Sequence, residues 1–102
     1  QIDGKIEDVM NSYPIDEKFK AFNWNVITID AHNYDEIRAA VESAKQCKGK
    51  PTVIIAKSVK GKGVSYMENQ AKWHGAPPNK EEYDIAMAEL SAEVKRLEEE
   101  SN

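Results

Sequence analysis

The sequence predicts an α/β protein, and three observations carry that reading. Two short runs rich in β-branched residues, Val26–Ile29 (VITI) and Thr52–Lys57 (TVIIAK), are apolar on both faces, the pattern of strands inside a parallel sheet. A helical period fills the stretch between them, so strand, helix and strand compose a βαβ unit whose strands should be parallel and whose crossover should be right-handed. A loop dense in glycine and lysine follows the second strand, on the side of an open α/β sheet where ligands collect. The expected architecture is a three-layer-type fragment: an N-terminal helical segment, the βαβ unit, a long glycine/lysine loop and a C-terminal helix.

The elements follow in order. Ile6, Val9, Met10, Tyr13, Ile15, Phe19 and Phe22 fall at roughly helical spacing on either side of Pro14. A proline disfavours helical geometry in the residue before it, so two short helices or turns should meet there. Asn23 to Asn25 reads as a turn, and the first strand ends at Asp30. Asn33 followed by Glu36 is a capping-box pattern that opens a helix from Tyr34 to Lys48. Its apolar stripe is Ile37, Ala40, Val41, Ala44 and Cys47, and Gly49 should close it before Pro51.

Beyond Lys57 the loop runs about 20 residues, a length compact domains tolerate when the loop is functional or disordered. It ends at a second capping-box pattern, Asn79 with Glu82. The last helix should carry Tyr83, Ala86, Met87, Leu90, Val94 and Leu97 on one face and Glu81, Glu89, Glu93 and Lys95 on the other. Glu98 to Glu100 would lie against the negative end of the helix dipole, where fraying is expected. Two strands that are apolar on both sides need neighbours, which preceding sequence or another subunit would supply.

A chain of 102 residues suits one domain or part of one. With 14 basic and 18 acidic side chains it is mildly acidic, which argues against non-specific nucleic-acid binding as its main work. Lys57, Lys60 and Lys62 nevertheless gather in the glycine loop while Glu98, Glu99 and Glu100 crowd the far end, a distribution that fits a local anion site. The single cysteine, Cys47, cannot form an intrachain disulfide and suits a reducing compartment. No stretch has the apolar length of a membrane span, and QIDGKIED lacks the features of a signal peptide, so a cytoplasmic protein is expected. The opening without methionine reads as a piece cut from a longer chain.

Two motifs carry the chemistry. In KGKG, Gly61 and Gly63 let the backbone turn tightly or approach a ligand, successive N–H groups can form an anion nest, and Lys57, Lys60 and Lys62 add charge. The pattern fits neither the phosphate-binding loop of nucleotide hydrolases nor the dinucleotide fingerprint, and a solvated turn is its plain alternative. In WHGAPP, His74 is followed by Gly75 and framed by Trp73 and Pro77-Pro78. Its imidazole could bond a diphosphate oxygen or a substrate hydroxyl or move a proton; a loop histidine paired with a backbone carbonyl is the alternative. His32 reads as structural, Asp3-Gly4 as a turn, and Asp30 as either a ligand contact or the shaper of the helix entry. Metal-ligand spacing is absent, and Ser58 and Ser65 have no obvious partners for nucleophilic chemistry.

Taken together, QIDG, PIDEKFKAFNWNVITIDAHNYDEI and KGKPTVIIAKSVKGKGVSYMEN followed by WHGAPPNKEEY resemble the transketolase family. The likeness is to the N-terminal, thiamine-diphosphate-binding subunit of the two-chain bacterial and archaeal type, and it covers essentially the whole chain. In that family a Gly-Asp-Gly motif and a later Asn, both upstream of the QIDG segment, bind the magnesium that holds the cofactor diphosphate. Residues 1–102 would then be the C-terminal portion of the diphosphate-side domain, with no metal ligands of their own. The resemblance implies that Ile2 packs on the thiazolium, that His74 reaches the diphosphate and the substrate's hydroxyl end, and that Lys57, Lys60, Gly61, Gly63 and Gly75 border that pocket. It further implies transfer of a two-carbon ketol unit between sugar phosphates, a reaction of the pentose phosphate pathway. The partners would be the upstream half of the domain and a pyrimidine-binding subunit, and the isolated chain would be inactive and bind no cofactor. Ala31 stands where the family usually has Gly before His32, and Pro77-Pro78 replaces a single proline.

A different class of function competes, a non-catalytic module that binds phosphorylated ligands, RNA or a protein through the basic loop or a free sheet edge. RNA is disfavoured because aromatics are not interleaved with the lysines apart from Tyr66 and Trp73. A homo-oligomer that covers the apolar strands is a further expectation.

Overall fold

The computed structural model describes residues 1–102. The chain divides into two compact units, Ile6–Ser58, and Gln1–Lys5 together with Val59–Asn102.

The first unit holds α1 (Ile6–Val9), α2 (Ile15–Ala21), β1 (Asn25–Asp30), α3 (Tyr34–Gln46) and β2 (Thr52–Lys57). Pro14 is the N-cap of α2, in extended geometry, so the proline separates α1 from α2 as the sequence predicts. The turn into β1 is made by Asn23 in left-handed conformation, φ 64°, and Asn25 already belongs to the strand. Phe19 of α2 packs on Trp24 with ring centroids 5.0 Å apart, and this tilted pair fixes how the helix leads into the sheet.

β1 and β2 form a two-stranded parallel sheet in register from Asn25 opposite Thr52 to Asp30 opposite Lys57. The ladder is closed at both ends, by the Asn25 N–H donating to the Pro51 carbonyl at 2.9 Å and the Ala31 N–H donating to the Lys57 carbonyl at 2.8 Å. Both α2 and α3 contact β1. Ile29 and Ala40 are buried, whereas Val26, Ile27, Val53, Ile54 and Ile55 are only half-buried, so the apolar strands keep uncovered surface within this chain.

The central helix differs from its expected form at both ends. Asn33 accepts from the Glu36 N–H at 3.1 Å, which is one arm of the expected capping box. The helix stops at Gln46, before Lys48, because Cys47 turns to extended geometry while its N–H still donates to Ser43 and Ala44. Gly49, at φ 88°, therefore shapes the turn toward Pro51 and does not itself cap the helix.

In the second unit, α4 runs from Lys80 to Ser101, a rod about 33 Å long. Its capping box is complete: Asn79 Oδ1 accepts from the Glu82 N–H at 2.9 Å, and Glu82 Oε2 accepts from the Asn79 N–H at 2.8 Å. The C-terminus stays helical through Ser101, contrary to the expected fraying. Arg96 pairs with Glu93 and Glu100, and the Ser101 hydroxyl donates to the Leu97 carbonyl at 2.8 Å, which offsets the unfavourable dipole contact. Val64 of the loop and Ala86 of the helix are buried. Tyr83, Met87, Leu90, Val94 and Leu97, the expected inner stripe, are exposed. No helix is long and apolar enough to cross a membrane.

Candidate functional site

The loop after β2 is ordered by its own backbone. Lys62 N–H donates to Val59 O and Val64 N–H to Gly61 O, both at 3.2 Å, while Asn69 N–H donates to Lys60 O at 2.9 Å. These bonds draw Val59–Asn69 into a compact coil, a use of a long loop that glycine content alone does not reveal. Gly61 and Gly63 both take positive φ, 73° and 96°, as the KGKG turn requires.

The expected anion nest is already engaged. Gly63 N–H donates at 3.1 Å to Oε1 of Glu68, a carboxylate from the same loop, and the Lys62 and Val64 N–H groups serve the turn itself. The Gly63 N–H is thus taken up by a carboxylate oxygen of the loop itself, and a diphosphate contact at Gly63 requires Glu68 to move aside.

The remaining predicted residues are placed as follows. Lys57 is the exposed last residue of β2 in the first unit, and Lys60 is half-buried in the second. Lys62 is exposed and helps hold the Glu93 carboxyl below its usual range, an effect led by the Arg96 hydrogen bond. Ile2 is exposed in the second unit. His74 is the exposed last residue of a 3-10 turn, Ala71–His74. Gly75 follows at φ −133° and ψ 18°, with open space around it, so no special backbone shape rests on its being glycine. Asp30 Oδ1 accepts from the His32 N–H at 2.8 Å, which makes Asp30 the shaper of the turn into α3.

Trp73 orients the turn that carries His74. Its indole N–H donates to the Tyr66 carbonyl at 3.1 Å, and the two rings pack with centroids 5.3 Å apart. Lys72 Nζ lies 4.8 Å from the Trp73 ring centre, a cation–π contact. Tyr66 is tied in turn to α4 through its hydroxyl, which donates to the Glu82 carbonyl at 2.6 Å. Burial, followed by the charges of Glu82 and Glu89, pushes the Tyr66 phenol above its ordinary value.

Ser65, for which the sequence shows no obvious partner, has a close one. Its N–H donates to Glu89 Oε2 at 2.7 Å and its hydroxyl to Oε1 at 2.5 Å. These bonds, the hydroxyl's first, hold the Glu89 carboxyl below its usual range. Glu89 therefore faces the loop and not the solvent side assigned to it by helical periodicity. Glu68, Tyr66 and Glu89 are the site residues that sequence reasoning missed.

No group of three or more His, Cys, Asp or Glu side chains stands where it could hold a metal ion. For a diphosphate the fit is partial: lysines and an imidazole are accessible, and the glycine turn binds a carboxylate oxygen now.

A parallel βαβ unit followed by a glycine/lysine coil and a C-terminal helix places the chain in the α/β class. Residues 1–97 match the family described as the transketolase, thiamine diphosphate-binding domain, and the chain belongs to that family. The chain is similar to the 6-deoxy-6-sulfo-D-fructose transketolase subunit SqwG of Clostridium sp. (strain MSTE9), with 42% identity over 91% of this chain and 34% of that protein. It is likewise similar to one of the subunits of the apulose-4-phosphate transketolase of Phocaeicola vulgatus, with 37% identity over 100% of this chain and 36% of that protein. The transketolase of Buchnera aphidicola is 37% identical over 87% of this chain and 13% of its own length. The chain thus spans about a third of the length of the two subunit relatives.

Proposed function

We propose that this chain is the C-terminal portion of the diphosphate-side domain of a transketolase, which transfers a two-carbon ketol unit between sugar phosphates. The observation that carries the reading is the family match through residues 1–97, which includes the KGKG turn and His74. Thiamine diphosphate, when bound, supplies the carbon chemistry; the protein supplies binding, orientation and electrostatics. In this reading Lys57, Lys60 and Lys62 offer positive charge to the diphosphate, and Gly61 and Gly63 let the backbone approach it. His74 reaches a diphosphate oxygen and the hydroxyl end of the substrate, Gly75 adjoins it, and Ile2 packs on the cofactor ring.

Relatives named as transketolase subunits support a partner subunit for this chain, and we infer that this partner binds the cofactor's pyrimidine. Magnesium belongs to ligands outside residues 1–102. We infer that the chain alone is inactive and binds no cofactor, since lysines and one histidine replace a divalent ion poorly beside a diphosphate.

The test is reconstitution. Combined with the rest of the domain, the pyrimidine-binding subunit, thiamine diphosphate and magnesium, the chain should transfer ketol units from a ketose phosphate to an aldose phosphate. His74→Ala in that assembly should lower the rate about 10²-fold or more, and an undiminished rate would remove His74 from the site. For the chain alone, amide resonances of Gly61, Gly63, His74 and Gly75 should not respond to millimolar cofactor with magnesium. Saturable shifts there would overturn the claim of inactivity by omission.

A further inference from the structure

Two anchors on α4 hold the loop. Glu82 and Glu89 are two helical turns apart on one face, their Cα atoms spaced along the rod by about 10 Å. At one anchor, both oxygens of Glu89 engage Ser65; at the other, the Glu82 carbonyl accepts from the Tyr66 hydroxyl. Ser65 and Tyr66 are adjacent, so the two anchors fix one short segment against a rigid element. From that segment contacts run in both directions. Tyr66 holds Trp73 by its carbonyl and its ring, and Trp73 precedes His74 in the 3-10 turn. On the other side Ser65 follows Val64, which is buried and whose N–H closes the KGKG turn onto Gly61.

We propose that Glu89 is a positioning residue: by gripping the backbone N–H and the hydroxyl of Ser65, it sets how His74 is presented, through Tyr66 and Trp73, and how the KGKG turn is presented, through Val64. Its relevance to the cofactor rests on the reading of His74 given above, but the positioning itself does not. The placement of the two Glu89 oxygens sets the grip, and the negative charge strengthens it without being needed for the geometry. A glutamine at position 89 can accept from the Ser65 N–H with Oε1 and donate to the Ser65 hydroxyl with Nε2, whereas an aspartate keeps the charge and falls one methylene short.

The test uses the isotopically labelled 102-residue chain, without cofactor, far below its unfolding temperature. The signals followed are the Trp73 indole N–H, the His74 imidazole C–H and the Gly61 and Gly63 amides. Glu89→Gln should leave all of them in place. Glu89→Asp and Glu89→Ala should shift them together while the amides of β1 and β2 stay fixed. A change confined to Ser65, or a glutamine variant as displaced as the alanine one, overturns the proposal. If Glu89→Ala loses its fold, Tyr66→Phe replaces it: removal of the hydroxyl should move Trp73 and His74, and unmoved signals overturn the linkage. A reconstituted enzyme that is indifferent to His74 would end the cofactor reading and leave these signals unaffected, so the two failures are distinguishable.

Discussion

Gly61 lies so close to Met67 that no side chain can be added to it: a Cβ at position 61 would stand 2.5 Å from the Met67 carbonyl oxygen and 2.7 Å from its Cβ. Backbone lies on both sides of the clash, so relief requires the turn to open. Gly61→Ala should therefore destabilise the loop by about 2 kcal/mol or more, combining the positive φ with the overlap. Gly49→Ala, with its φ of 88° but nothing within 4 Å, should cost about 1 kcal/mol from backbone strain alone. Gly75→Ala should fall within about 0.5 kcal/mol of wild type, because φ there is ordinary and the space is open. Denaturant titrations of the three variants check the order; a Gly75→Ala variant as unstable as the Gly61→Ala variant would refute it.

The Ser65–Glu89 contact should make the loop acid-sensitive. Both Ser65 donors favour the charged carboxylate, so the folded pKa of Glu89 lies below its ordinary 4.5. Between the folded and unfolded values the unfolded chain binds more protons, hence this stabilisation is present above about pH 4.5 and fades as pH falls through the folded value. Acidification should weaken the bond of the Ser65 amide to Glu89 and shift that amide's signal in that window. Glu89→Gln should remove the dependence while keeping the contact. An unchanged Ser65 shift through the acid range would contradict the assignment.

What the sequence reveals and conceals follows from the range of each interaction. β2 is legible to its ends, and β1 to one residue at each side, because β-branched runs bounded by turn residues are local signals. Pro14 marks the α1–α2 break and Asn79 the start of α4 for the same reason. The end of α3 is not legible: Gly49 looks like a cap, whereas the chain leaves the helix at Cys47 to reach the Pro51–Asn25 bond. Periodicity assigns Glu89 to solvent because it describes a helix by itself. Its partner Ser65 stands 24 residues away, in a coil whose path no periodicity encodes. KGKG and His74 stand out as motifs, but the occupation of Gly63 by Glu68 cannot be read from spacing.

The two asparagine caps provide an internal comparison. Asn79 takes part in a reciprocal box with Glu82, whereas Asn33 receives one bond from Glu36. Asn79→Ala should cost about 1 kcal/mol, since it removes the side-chain acceptor of the Glu82 N–H and leaves the bond from the backbone N–H of residue 79 to the Glu82 carboxylate as the one remaining arm of the box. Asn33→Ala should sit at the lower end of the capping range, about 0.5 kcal/mol. Thermal melts of the two single variants check the order, and equal losses would show that the second arm contributes nothing.

Within its own unit the apolar stripe of α4 is only partly covered, where Leu90 approaches Gly63 of the loop. Tyr83, Met87, Leu90, Val94 and Leu97 recur at alternating steps of four and three, the spacing of a helix–helix seam, and Val94 and Leu97 are 55% and 48% exposed. Asp84, Glu93, Glu98 and Glu100 flank the stripe, partly offset by Lys80 and Arg96, so two copies brought together would still set an acidic excess against its own kind. Burial favours association and charge opposes it, and the balance depends on ionic strength because exposed charges are screened within about 10 Å at 0.1 M salt. The scattering mass should therefore rise above 11.5 kDa with concentration, and more steeply when salt is added. Val94→Lys with Leu97→Lys should return the chain to monomer at every salt level. A wild-type chain that stays monomeric in high salt at high concentration would show that this stripe does not drive self-association.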